Sequence, residues 1–112
     1  MKINILGTEY TVRFETKKEN AAFNEDSNLT GYVDVTSKEI KILSNSEYES
    51  NSRSLDKPKE FQNKTLRHEI IHAFLYESGM TDWYLNEKLV EYLAIMLPKI
   101  NVALEKMKME SD

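Results

Sequence analysis

Cysteine is absent from this chain of 112 residues, and proline and glycine are scarce, at two and three. Without thiols there can be neither disulfides nor thiolate zinc sites, so any metal would have to be held by imidazole and carboxylate. Long apolar runs are missing as well. No segment approaches the roughly 18 apolar residues of a membrane span, so no membrane association is expected. Positive charge is not in surplus: the net charge is −4 and the pI near 5.3, which argues against a dedicated nucleic-acid binder. The stretch Met1-Lys2-Ile3-Asn4-Ile5-Leu6-Gly7 lacks the apolar core of a secretory leader, and a cytoplasmic protein is expected. What remains, 40% apolar and 30% charged residues, is too apolar for a disordered chain and suits one domain over residues 1–112.

The first third alternates. Ile3 and Ile5, then Tyr10, Val12 and Phe14, stand at period two around a turn at Gly7-Thr8. Residues 17–30 are polar and read as a surface connection, with Ala21-Ala22-Phe23 as a short docked turn. Gly31 opens a second alternating stretch with Val33 and Val35. Ile40 and Ile42 follow Thr36-Ser37-Lys38 as in a hairpin. A small antiparallel sheet of three or four strands is expected. Residues 44–54 have few apolar anchors and read as a mobile loop, and Asp56-Lys57-Pro58 marks a helix start. Over residues 61–78 Leu66, Ile70, Ala73 and Phe74 recur at helical spacing, and Gly79 ends the helix. A second helix is expected from about Trp83, with Val90, Leu93, Ala94 and Leu97 as its buried stripe, a kink or restart at Pro98, and a helical tail from Ile100 to Met109. The fold class is therefore α+β.

Histidine is nearly as scarce as proline. The only two occur in His68-Glu69-Ile70-Ile71-His72, an H-E-x-x-H pattern. On an α-helix each residue turns about 100°, so His68 and His72 lie about 40° apart, one turn above the other. Two rings held that way can grip one metal ion, with Glu69 beside it to act on a bound water. The neighbours Ile70, Ile71, Ala73, Phe74 and Leu75 make the helix apolar over most of its surface. Burying two histidines and a glutamate there without partners would be costly. A catalytic zinc site needs a third protein ligand and an open position. Glu87 and Glu91 are four apart, hence on one helical face beside the stripe that starts at Val90. Either could complete a His-His-Glu set, and the other could hold the free nitrogen of a ligand histidine.

The helix-borne H-E-x-x-H, followed by a helix that begins Asn86-Glu87 with an acid four residues on, resembles the gluzincin metallopeptidases. The resemblance implies Glu87 as third zinc ligand and Glu91 as the acid that supports a ligand. The run Leu66-Arg67-His68-Glu69-Ile70-Ile71-His72-Ala73-Phe74-Leu75, with Glu77-Ser78-Gly79 and an end at Leu97-Pro98, is also similar to small ImmA/IrrE-type and phage-encoded zinc-peptidase-like proteins. There a short sheet precedes the motif helix. The likeness covers roughly the C-terminal half, and the interval from His72 to Glu87 is shorter than in large gluzincins. A bacterial protein, or a phage protein working in its host's cytoplasm, is implied.

The expected chemistry is hydrolysis of a peptide or protein substrate by a metal-activated water, with zinc bound by His68, His72 and Glu87 and with Glu69 as general base. Tyr76, Tyr84, Tyr92 and Arg67 are candidate oxyanion donors, and spacing singles out none. Trp83 and Tyr84 either line the cleft mouth or anchor the turn between helices. The strand near residues 39–43 is expected, by the resemblance, as an edge that pairs with an extended peptide; the alternative is an edge without a ligand, guarded by Lys38, Glu39 and Lys41. A zinc-binding regulatory or structural protein with little proteolytic activity is the rival reading, and a metal-free helical binding module a third. Retention of Glu69 favours the first, since a purely structural site has no use for a water activator.

Overall fold

A computed structural model describes residues 1–48 and 58–110. Strands β1 (Lys2–Ile5), β2 (Thr8–Glu15), β3 (Gly31–Asp34) and β4 (Glu39–Leu43) are joined by a short helix α1 (Ala21–Glu25). They are followed by α2 (Pro58–Glu77), the single turn α3 (Thr81–Tyr84) and α4 (Glu87–Glu110). The class is α+β, as the patterning predicts. The sheet is mixed rather than antiparallel: its order is β1-β2-β4-β3, and β2 runs parallel to β4 with Val12 beside Ile40 and Phe14 beside Ile42. Period-two alternation identifies strands but carries neither direction nor partner. The parallel pair requires a crossover, and residues 16–38 supply it. Phe23 of α1 pins that crossover, fully buried with Leu43 and Tyr48.

The same topology corrects the expected edge. β4 lies between β2 and β3, so its backbone is already paired on both sides. The free edge next to the motif helix belongs to β3. Lys38, Glu39 and Lys41 guard no edge; they pair with Glu77, Arg13 and Glu15 respectively.

One face of the sheet carries Ile5, Tyr10, Val12, Ile40 and Ile42, all buried against Ala73, with Leu66 and Ile70 of α2 packed alongside. The C-terminal end of α2 is tied down as well. Glu77 accepts from Tyr10 Oη at 2.6 Å, Thr8 Oγ1 at 2.8 Å and Lys38 Nζ at 2.9 Å. These bonds hold its carboxyl well below the ordinary range, at about 2. Gly79, at φ +84°, then ends the helix where a Cβ would be strained, and Met80 N bonds back to Leu75 O at 3.0 Å.

α4 packs on α2 through Ile71, Val90 and Ala94, with Leu75 and Leu93 partly covered. Leu97 and Phe74, expected in the interior, are 45% and 38% exposed. Helix α4 runs on through Pro98 instead of restarting. Proline has no N–H for the carbonyl four residues back, and Arg67 Nη1 approaches that Ala94 oxygen at 3.4 Å. The loop expected over residues 44–54 begins with a 3₁₀ turn and the buried Tyr48. The rest of that loop, and Asp56-Lys57, lie outside the described residues. Among the described residues no helix is long and apolar enough to cross a membrane.

Candidate metal centre

Three faces of α2 have three uses. One is buried on the sheet, one meets α4, and the third carries Lys64, Thr65, His68, Glu69 and His72 into a pocket of about 570 Å³. β3 and the α3–α4 junction form the opposite walls. Gly31 is what lets β3 come so near: a Cβ there would stand 2.7 Å from Thr65 Cγ2 and 3.4 Å from Glu69 Cγ. Asn86 sets the start of α4, its Oδ1 accepting from Leu89 N at 3.1 Å. That cap fixes the first turn, and with it Glu87, opposite the histidines.

His68, His72 and Glu87 come together, each offering a ligand atom within 4.8 Å of the others. The Nε2 atoms of the two rings are 3.2 Å apart. Glu87 straddles them, Oε2 lying 3.0 Å from His68 Nε2 and Oε1 2.9 Å from His72 Nε2. The other nitrogen of each ring is engaged. His72 Nδ1 meets the backbone carbonyl of Tyr84, and His68 Nδ1 meets Glu91 Oε2 at 3.0 Å. A carbonyl can only accept, so His72 Nδ1 carries its hydrogen and a neutral ring presents a lone pair at Nε2. The same holds for His68 if Glu91 is ionised. Lys64, 3.1 Å from Glu91 Oε1, favours that state and holds the Glu91 carboxyl below its usual range.

With both Nδ1 hydrogens placed so, two lone pairs and a carboxylate face one another, and among the described residues no side-chain donor enters between them, an arrangement that calls for a cation or for added protons. Three ligands of one ion about 2.0–2.1 Å away in a tetrahedron stand about 3.3–3.4 Å apart. The two Nε2 atoms, 3.2 Å apart, lie just inside that, and each has a different Glu87 oxygen 2.9–3.0 Å away. The residues therefore fit a metal ion and could hold one. His72 is nearly enclosed, at 6% side-chain exposure, whereas Glu87 is 68% exposed, so the centre opens toward solvent on the α4 side. Glu69 is buried beside it. Burial pushes its carboxyl up to about 7, the Glu87 carboxylate adds to the rise and His68 opposes it.

Glu91 occupies the supporting position rather than the cluster itself. Of the four candidate oxyanion donors, Tyr84 alone lines the pocket among the described residues. Arg67 faces the α4 carbonyl, Tyr76 stacks edge-on against Tyr84 with centroids 5.2 Å apart, and Tyr92 is 59% exposed. Trp83 is exposed and outside the pocket lining. Sequence reasoning missed the Tyr84 carbonyl, Lys64 and the Gly31–Thr65 contact. A backbone carbonyl has no residue-type signal. Lys64 stands one helical turn before His68, but its bond to Glu91 joins two helices.

Compared with known proteins, the chain matches no family model, no curated protein and no solved structure.

Proposed function

We propose that this chain is a zinc-dependent peptidase of the H-E-x-x-H kind, with His68, His72 and Glu87 as ligands and Glu69 as general base. The carrying observation is the convergence of three potential ligand atoms, from His68, His72 and Glu87, beside the buried Glu69 in an open pocket. Imidazole with carboxylate suits zinc among the first-row ions, and the likeness of the motif to gluzincins and to small phage and bacterial zinc-peptidase-like proteins points the same way. When bound, the ion would lower the pKa of a water to about 7 and polarise the scissile carbonyl.

The chain's own groups then have separate tasks. Glu69, buried beside the ligands, takes the proton of the attacking water and passes it to the leaving amine. Glu91 and the Tyr84 carbonyl orient the two rings through their Nδ1 hydrogens, which keeps each Nε2 aimed inward. The free edge of β3, close to Glu69 at Gly31, offers unpaired backbone groups to an extended peptide or protein substrate. The cytoplasm, of a bacterium or of a phage's host, is the proposed place of action.

The test is metal analysis of protein purified without added metal, followed by peptide cleavage with wild type and Glu69→Gln. Zinc should be retained in both, with cleavage about 10²–10⁴-fold slower in the variant. Equal cleavage would remove Glu69 as base and the peptidase reading with it. Bound zinc without cleavage in either protein would favour a regulatory or structural zinc protein.

A further inference from the structure

Helix α4 is amphipathic well past the point where it leaves the body of the protein. Val90, Leu93, Leu97, Ile100, Leu104 and Met107 alternate at spacings of three and four, a heptad seam. Its first turns pack on α2, but from residue 99 to 110 every side chain is exposed. On the seam, Leu97, Ile100, Leu104 and Met107 are 45%, 54%, 49% and 61% exposed. The projection stretches the molecule: its radius of gyration is 15.6 Å, against about 13 Å for a compact chain of this length. A helix of about twelve residues without tertiary contacts is marginal in water. At Leu97, where its exposed part begins, the seam adjoins an apolar groove of about 450 Å³ that Ile70 and Phe74 also line.

We infer that the projecting half of α4 pairs antiparallel with the same segment of a second copy of this chain. The spacing is self-complementary. About a two-fold axis between Ile100 and Leu104, Leu97 of each copy meets Met107 of the other and Ile100 meets Leu104, which closes the contact. The C-terminal methionine of each seam then reaches the mouth of the other copy's groove. Size supports the pairing. At roughly 150 Å² for a free side chain of this kind, the four seam residues and Phe74 leave on the order of 400 Å² of apolar surface per copy. With apolar atoms forming about 65% of homodimer contacts, full coverage of the seam buries on the order of 1,100 Å² in total, just above the roughly 1,000 Å² that a specific interface needs. Among the described residues none lines both this groove and the metal pocket, and the inference stands apart from the metal chemistry.

Light scattering across a concentration series tests it. Wild type should reach twice the 13.1 kDa chain mass. Ile100→Glu/Leu104→Glu should raise the dissociation constant by about 100-fold or more, while Val102→Glu, on the opposite face, should leave it unchanged. Because both seam residues are exposed in the single chain, circular dichroism should show the double variant folded. A single-chain mass for wild type at about 100 µM overturns the inference and leaves the seam to a different partner. A dimer that survives in the double variant, or that Val102→Glu disrupts equally, also overturns it. Since the chain has no cysteine, orientation can be read from a mixture of Leu97→Cys and Met107→Cys chains. They should crosslink to each other under mild oxidation, and crosslinking only within each variant overturns the antiparallel arrangement.

Discussion

Replacing Gly31 by alanine would insert a methyl group where β3 passes over α2. The added Cβ would meet Thr65 Cγ2 at 2.7 Å and Ile42 Cδ1 at 3.0 Å. The isoleucine methyl ends a flexible side chain and can turn aside, but the Thr65 methyl sits on a β-branched Cβ only two bonds from the backbone of a rigid helix. Either β3 or the helix must shift by several tenths of an ångström. Overpacking of this kind costs about 1–3 kcal/mol. Alanine also restricts the unfolded chain, which returns about 0.4–1 kcal/mol. The net loss is about 1–2 kcal/mol, a fall in melting temperature of about 5–10 °C for a domain of this size. The clash is specific, so it can be relieved: Thr65→Ser removes Cγ2. In a double-mutant cycle, Thr65→Ser should cost less by about 1 kcal/mol in the Gly31→Ala background than in wild type. The readout is thermal unfolding of the four proteins by circular dichroism. An unchanged melt for Gly31→Ala, or strictly additive effects, would refute the close approach of the edge strand to the motif helix. Because Glu69 Cγ lies 3.4 Å from the same point, cleavage by Gly31→Ala should fall more steeply than its stability.

Other outcomes test the remaining links. Stripping the metal with a chelator should lower the melting temperature, because an ion bound only to the folded chain stabilises it by mass action; an unchanged melt after proven removal would contradict this. His68→Ala should abolish metal retention, while Glu91→Ala should weaken it by about 10–100-fold, and the reverse order in a metal titration would reassign the ligands. Glu77 supplies a pH signature: its carboxyl titrates at about 2 in the folded chain, below an ordinary 4.5. Its stabilisation is therefore complete above the unfolded value and lost as pH falls through the folded one. Wild type should melt above Glu77→Gln at neutral pH, with the gap closing between about pH 5 and pH 2; a constant gap would be evidence against the Tyr10, Thr8 and Lys38 bonds.

The strands around Tyr10 and Ile40, the motif helix to Gly79 and the existence of a helix after it were legible in the chain, but that helix's start was not: the pattern puts it near Trp83, which lies in the separate turn α3, and α4 opens at Glu87. The legible elements are written in local periodicity, caps and breakers, which act within a few residues. The pairing order was not legible, and it moved the free edge from residues 39–43 to Gly31–Asp34. Phe74 and Leu97 fit the apolar spacing of their helices yet stay partly exposed, because periodicity names a face without saying that anything covers it. Pro98 signals a break locally, but the contact that serves the carbonyl it abandons comes from Arg67 on another helix.

By itself, the sequence determined which atoms are available: two imidazoles one helical turn apart, a carboxylate between them, two more at helical spacing, and no thiol to compete. Tertiary structure alone decided which carboxylate joins the rings and which supports one from behind, that a Tyr84 carbonyl sets the tautomer of His72, and that β3 rather than β4 borders the pocket. Spacing along one helix fixes angles within it. How far α4 stands from α2, and which strand lies over them, depends on the packing of Val90 against Ile71 and on the space a missing Cβ leaves at Gly31.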